Sequence, residues 1–229
     1  MIKLSNRLSE IASFINKEDI IIDIGCDHAL LDIYLANKYN NICYASDINE
    51  NALNNAKSNI KKYGLEDKII IKHGDGLTID NSLINTIVIA GMGFNNIIKI
   101  LSNNDAKNIN KIIVQSNSHP EIIRKFMIKN RYYLNKEKIV LDNNKYYVIS
   151  EYIRSNKHNN FMELIIGKYD LNNISRKYIK HEISKNTKLL NDIPRRMMFK
   201  RMSIKFKNKL LSIKSSKWTF FVLFIFKYF

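Results

Sequence analysis

The sequence predicts an α/β protein built on a Rossmann-like, mostly parallel sheet, followed by a helical hairpin of coiled-coil character. Three observations predict it. Short apolar runs alternate with amphipathic segments over residues 1–157, the pattern of buried parallel strands joined by crossover helices. That alternation ends in two strands joined by Asp142-Asn143-Asn144, a turn that sends the chain back antiparallel. From about Phe161 onward, apolar residues recur at helical spacing within a basic background.

Taken in order, residues 3–15 read as an amphipathic helix, with Leu4, Leu8, Ile11 and Ile15 three or four apart. Ile20–Ile24 is a run apolar at all but Asp23 that suits a buried strand. Helices are expected at Ala29–Lys38, Glu50–Tyr63, Asn95–Ser102 and Glu121–Asn130. Strands are expected between them at Ile42–Ser46, Lys68–Lys72, Thr86–Ala90 and Lys111–Gln115. The closing strands are Tyr133–Leu141 and Lys145–Arg154. An antiparallel ending suits methyltransferases better than nucleotide-binding dehydrogenases, whose sheets usually stay parallel.

In the last third, Ile179, Ile183, Leu190 and Ile193 fall near heptad spacing, with Asn186 in the intervening seat. Phe199, Met202, Phe206, Leu210 and Ile213 repeat the pattern after Pro194, which cannot continue a helix interior. Two antiparallel helices follow from this. The expected domains are 1–157 (Rossmann-like), 158–217 (basic hairpin) and an apolar tail at 218–229. The tail's twelve residues are too few for a membrane span of about 20. Packing on the domain, an interfacial position and an altered reading frame all remain open for it.

Formal net charge is +16, and residues 161–229 hold 16 basic and only 4 acidic side chains. A polyanion such as nucleic acid fits that field; the rival reading is compositional drift toward Lys, Asn and Ile. Cys26 and Cys43 form no Cys-x-x-Cys pair and have no nearby His cluster. That excludes a disulfide framework and a zinc site and fits a reducing compartment. The opening residues carry no apolar signal core and no segment is long enough to span a bilayer, so a cytoplasmic, metal-free monomer is expected.

The chemistry-bearing residues lie at strand ends, where doubly wound sheets bind ligands. The turn after the first strand reads Asp23-Ile-Gly25-Cys26-Asp27-His28. A dinucleotide site would place a second glycine where Asp27 stands. A carboxylate there repels a diphosphate and suits a cofactor bearing a sulfonium cation and an ammonium group. Asp47 ends the second strand, where an acid accepts hydrogen bonds from a ribose diol. Asp75 and Gly76 follow the third strand, where a cofactor adenine is usually met; a plain turn is the alternative. Ala90-Gly91-Met92-Gly93 ends the fourth strand, facing the transferable methyl group, with glycines that admit a flat ring. The Pro-Pro-aromatic motif used for exocyclic amines is absent, as befits attack by a ring nitrogen.

At this point the chain resembles the bacterial tRNA (adenine-22-N1) methyltransferases, the TrmK-type family. The resemblance rests on Leu4-Ser5-x-Arg7-Leu8, Asp23-Ile-Gly25-x-Asp27-His28-Ala29-x-Leu31 and Thr86-Ile-Val-Ile-Ala90-Gly91-Met92-Gly93. Gln115-x-Asn117 and Asn144-Lys145-x-Tyr147 add to it. The chain departs from the family pattern at Cys26, Asp47, Phe94, Ser116 and Asn143. The resemblance implies a Rossmann-like S-adenosylmethionine methyltransferase sheet with a C-terminal helical domain, acting on tRNA in the cytoplasm. It implies cofactor contacts from Asp23, Gly25, Asp27, His28, Asp47, Asp75, Gly76, Ala90 and Gly91. Substrate contacts are implied at Arg7, Met92, Gly93, Gln115, Asn117, Lys145 and Tyr147.

Asp27 is the candidate catalytic residue, stabilising the positive charge that develops on the adenine ring; its bland alternative is a helix N-terminal acid. Two other functions stay open on sequence alone. One is methylation of another RNA or of a small molecule; the other is a non-catalytic RNA-binding protein that has kept the fold.

Overall fold

The computed structural model describes residues 2–74, 83–102 and 109–216. The expectations for Asp75, Gly76 and the tail at 218–229 lie outside the described residues. The chain falls into two compact units, Met1–Asn159 and Asn160–Phe229.

Among its described residues the first unit carries seven strands: β1 (Ile21–Ile24), β2 (Cys43–Asp47), β3 (Ile69–His73), β4 (Thr86–Met92), β5 (Lys111–Ser116), β6 (Tyr132–Asp142) and β7 (Lys145–Arg154). They form one sheet in the order β3-β2-β1-β4-β5-β7-β6. The first five are parallel, whereas β7 runs antiparallel to both neighbours, β5 and β6. Among the described residues five helices belong to this unit: α1 (Asn6–Ala12), α2 (Leu30–Tyr39), α3 (Glu50–Tyr63), α4 (Phe94–Leu101) and α5 (Pro120–Lys129). The order reverses between β1 and β4, which opens a crevice at the carboxyl ends of those strands.

Side chains alternate across each strand, and both faces are buried. Ile113 joins one apolar cluster with Ile11, Phe14, Leu31 and Leu35. Its neighbours Ile112 and Val114 join the opposite one with Ile97, Ile123 and Tyr152. Every residue of β5 is buried, which explains why this strand shows no polar alternation. Where the sheet turns antiparallel, Asn143 and Asn144 both take positive φ, as a two-residue hairpin turn requires.

Several expected boundaries move for local reasons. The helix expected at 3–15 shortens to Asn6–Ala12. Ser5 caps it by accepting the Leu8 N–H, and the Ser13 hydroxyl turns back to the Glu10 carbonyl at 2.7 Å. The helix expected from Ala29 starts at Leu30, because Ala29 itself is left-handed at φ 53°.

The second unit holds α6 (Phe161–Ile166), α7 (Asn173–Asp192) and α8 (Met198–Ser215). Reciprocal capping boxes begin α6 and α7, at Asn160 with Glu163 and at Asn172 with Ser175. On α7 the seam holds Ile179 and Asn186, both buried. On α8 the expected seam needs correction: Phe199 is 90% exposed, Met202 62% and Phe206 47%. The helix is rotated so that Arg201 faces inward, its guanidinium donating to the Leu190 and Ile193 carbonyls. Asn208 then meets Asn186 at 2.8 Å, and Leu210 and Leu211 are buried one turn further on.

Candidate active site at the carboxyl edge of the sheet

The turn after β1 is shaped by backbone before any side chain contributes. Gly25 stands at φ +81°, and a Cβ built on it would overlap the Met92 methyl group. Only glycine takes that conformation without strain. The Gly25 and Cys26 N–H groups both donate to the Ser46 carbonyl, at 2.8 and 3.1 Å, tying the turn to β2. Asp27 and Ala29 also take positive φ, so a tight, strained loop leads directly into α2.

That loop joins the Asp27 backbone to the Asp47 carboxylate. The Asp27 N–H donates to Asp47 Oδ2 at 3.3 Å, and Asp47 Oδ1 accepts the Asn49 N–H at 2.9 Å. Asp47 is thereby oriented from both sides. The Asp27 side chain is 71% exposed, with His28 Nε2 3.7 Å from its Oδ1; the Asn59 amide holds the His28 carbonyl at 3.0 Å. Asp23 lies beneath, buried. Burial holds its carboxyl well above the usual range, the nearby Asp32 and Asp47 push the same way, and Arg7 opposes them.

A second cluster forms at the end of β4. Gly91, at φ +80°, donates its N–H to Gln115 Oε1 at 3.1 Å. Its carbonyl accepts the Asn117 amide at 2.6 Å. Gln115 Nε2 donates to Asn117 Oδ1 at 3.1 Å, and the Asn117 N–H donates to the Met92 carbonyl at 2.8 Å. Arg7 closes the group: its Nη1 donates to Gln115 Oε1 at 2.7 Å and its guanidinium lies 5.5 Å from the centre of the Tyr147 ring. Lys145 stands elsewhere, exposed and opposite Asp142 at the hairpin end.

The structure therefore assembles Gly25, Asp27, His28 and Asp47 on one side of the crevice. It assembles Arg7, Gly91, Met92, Gln115, Asn117 and Tyr147 on the other, with Gly93 beginning α4 beside Ser118. Ala90, the last β4 residue before Gly91, pairs with Gln115 in the sheet. Two residues were missed from sequence. His119, left-handed at φ 48°, packs edge-on against Phe94 with ring centroids 5.2 Å apart; its signal was its place before Pro120, which starts α5. Asp32 lies fully buried on α2, and a carboxylate in an apolar helix face was the available signal. Among the described residues no group of three or more His, Cys, Asp or Glu could hold a metal ion. No described helix is long and apolar enough to cross a membrane.

Residues 4–150 match the family model described as "Methyltransferase domain". A tRNA (adenine(22)-N(1))-methyltransferase of Bacillus subtilis is 36% identical over 152 residues. That match covers 65% of this chain and 64% of the relative, so the chain spans just under two thirds of that relative's length. The structure of Mycoplasma capricolum TrmK in complex with S-adenosyl-homocysteine superposes with a TM-score of 0.80 at 31% identity, covering 91% of this chain and 96% of that one. The B. subtilis TrmK structure superposes at 0.81 with 25% identity, covering 94% and 100%. A glycine turn followed by an acid, a carboxylate ending β2 and a Gly-Met-Gly end to β4 thus occur together with whole-chain similarity. The chain belongs to the methyltransferase-domain family, within its TrmK-type group.

Proposed function

We propose that this chain transfers the methyl group of S-adenosylmethionine to N1 of adenine 22 in tRNA, as a cytoplasmic monomer. The observation that carries the reading is the Asp27 side chain after the Gly25 turn, its backbone tied to β2 by the N–H donated to Asp47 Oδ2. It places the Asp27 carboxylate where a dinucleotide site needs bare backbone N–H groups. The relatives' names and the ligand in the M. capricolum complex support the same cofactor and substrate.

The residues present fit this cofactor. Gly25 leaves the turn without a side chain where a Cβ would meet Met92, and Asp47 is already oriented for a ribose diol. When bound, the cofactor supplies an electrophilic methyl group on a cationic sulfur. Asp23, Gly25, Asp27 and His28 would hold its charged end and Ala90 and Gly91 would lie toward its methyl group, with Asp75 and Gly76 the candidates for its adenine from sequence alone.

Adenine N1 carries an in-plane lone pair and no proton, so no base is needed to begin. The Asp27 carboxylate accepts a hydrogen bond from the N6 amine and stabilises the charge that develops on the ring. Gly93 leaves space for the flat base beside Met92, and Arg7, Gln115, Asn117 and Tyr147 hold its approach. Lys145 meets a phosphate. The residues of 158–217 grip further phosphates through their basic side chains, and the base leaves its stack to reach the pocket.

The test is mass spectrometry of unmodified tRNA after incubation with protein and S-adenosylmethionine. The expected product is 1-methyladenosine at position 22, lost when that base is changed to guanine. Methylation at another position, or none, overturns the substrate assignment.

A further inference from the structure

The mechanism uses Asp23 and leaves Asp32 unexplained. Asp32 sits in the first turn of α2 and is 0% exposed. Neither of its side-chain oxygens meets a hydrogen-bond donor. A buried, ionised carboxylate without a partner is among the costliest arrangements in a protein. Its neighbour is a second buried acid, Asp23, on β1.

We propose that Asp32 is a positioning residue of the candidate cofactor pocket, sharing a proton with Asp23 so that the acid–carboxylate pair fixes the loop bearing Gly25 and Asp27. This rests on reading that loop as the cofactor pocket. The shared proton is the donor that the oxygens of Asp32 otherwise lack, and two carboxyls held in one buried site cannot both ionise readily.

The surrounding groups agree. Cys26 of the loop and Cys43 of β2 are both buried, and the Cys43 thiol approaches the Asp32 backbone carbonyl at 3.9 Å. Burial, with Asp32 and Asp23 beside them, pushes both thiols up, so they stay protonated and neutral. Asp47 of β2 adds negative charge, while Arg7 of α1 draws Asp23 toward its ionised form. Burial pushes Asp32 up to about 7, and the proton shared with Asp23 works against that rise. The pair is coupled, so the proton belongs to both residues.

Two opposed pH trends follow. The folded pair binds protons more tightly than the unfolded chain, so its contribution to stability is complete at acid pH and is lost as pH rises through neutrality. Over the same window the pocket floor gains negative charge, so affinity for a ligand bearing an ammonium group increases.

The experiment compares the wild type with Asp32→Asn, whose amide donates permanently to Asp23. Melting temperature of the cofactor-free protein and S-adenosyl-homocysteine affinity by calorimetry are both followed from pH 5.5 to 8.5. In the wild type, melting temperature should fall with pH while affinity rises several-fold, and D32N should flatten both trends. A D32N protein keeping both wild-type pH profiles overturns the proposal. Should D32N not fold, carbon-13 carboxyl shifts of the wild type decide: a carboxyl titrating near neutrality supports the pair, and all aspartates titrating below about pH 5 overturns it. Because melting needs no cofactor, expected melting profiles without S-adenosyl-homocysteine binding would sink the pocket reading and leave the shared proton standing.

Discussion

The Arg7 guanidinium and the Gln115 side-chain oxygen meet at 2.7 Å across 108 residues of chain. That oxygen also accepts the Gly91 N–H, so one amide links α1 to the end of β4. Gln115→Ala would leave the guanidinium and the backbone N–H without their acceptor. Losing a hydrogen bond to a charged group costs about 1.5–3 kcal/mol, equivalent to roughly 10–100-fold in kcat/KM if the cluster holds the reacting base. Steady-state kinetics checks this; unchanged kcat/KM would remove the cluster from the mechanism.

Asp27→Asn keeps a side chain tolerant of left-handed backbone and removes only the charge. Loss of a group aimed at developing charge lowers kcat by about 10²–10³-fold. Because the side chain is mostly exposed, stability should stay within about 0.5 kcal/mol of wild type. Turnover and thermal unfolding are measured on the same preparation. Full turnover would reduce Asp27 to a helix-terminal acid.

Arg195, Arg196 and Lys200 lie at and just before the start of α8 and are exposed. Replacing all three by Gln should weaken tRNA binding and leave S-adenosyl-homocysteine binding unchanged. If each meets a phosphate, the slope of log K against log salt should fall by roughly 0.7–0.9 per residue. An unaltered slope would place the tRNA elsewhere.

The part-buried Asn186–Asn208 pair should behave asymmetrically under substitution. Asn186→Leu removes one partner and should cost about 1–3 kcal/mol. The double change to Leu at 186 and 208 should recover most of that loss, as paired apolar replacements do. Thermal unfolding of the three variants provides the comparison. A double variant no more stable than the single one would mean that the pair is not coupled.

The sheet was legible because its strands are apolar on both faces, so runs such as Ile20–Ile24 and Lys111–Gln115 announce themselves. The loops were legible where a backbone rule selects a residue, as at Gly25 and at Asn143-Asn144. The α8 seam was not. Phe199 and Met202 have the spacing of a buried row, and only the carbonyls at the end of α7, which capture Arg201, reveal that the helix is turned. Asp32 was hidden for a related reason. A polar residue in a helix reads as solvent-facing until the fold shows that its side lies against β1 and β2. The Arg7 cluster joins three distant segments, and nothing local to Gln115 discloses its partner.

Strand β7 occupies the slot beside β5, while β6, made earlier, lies outside it. During synthesis on the ribosome, the outer edge of β5 therefore waits unpaired until Lys145–Arg154 has emerged. An uncovered strand with an Ile112-Ile113-Val114 centre is an invitation to intermolecular pairing. Nascent chains stalled before that point should be clients for chaperones, and those released after it should not.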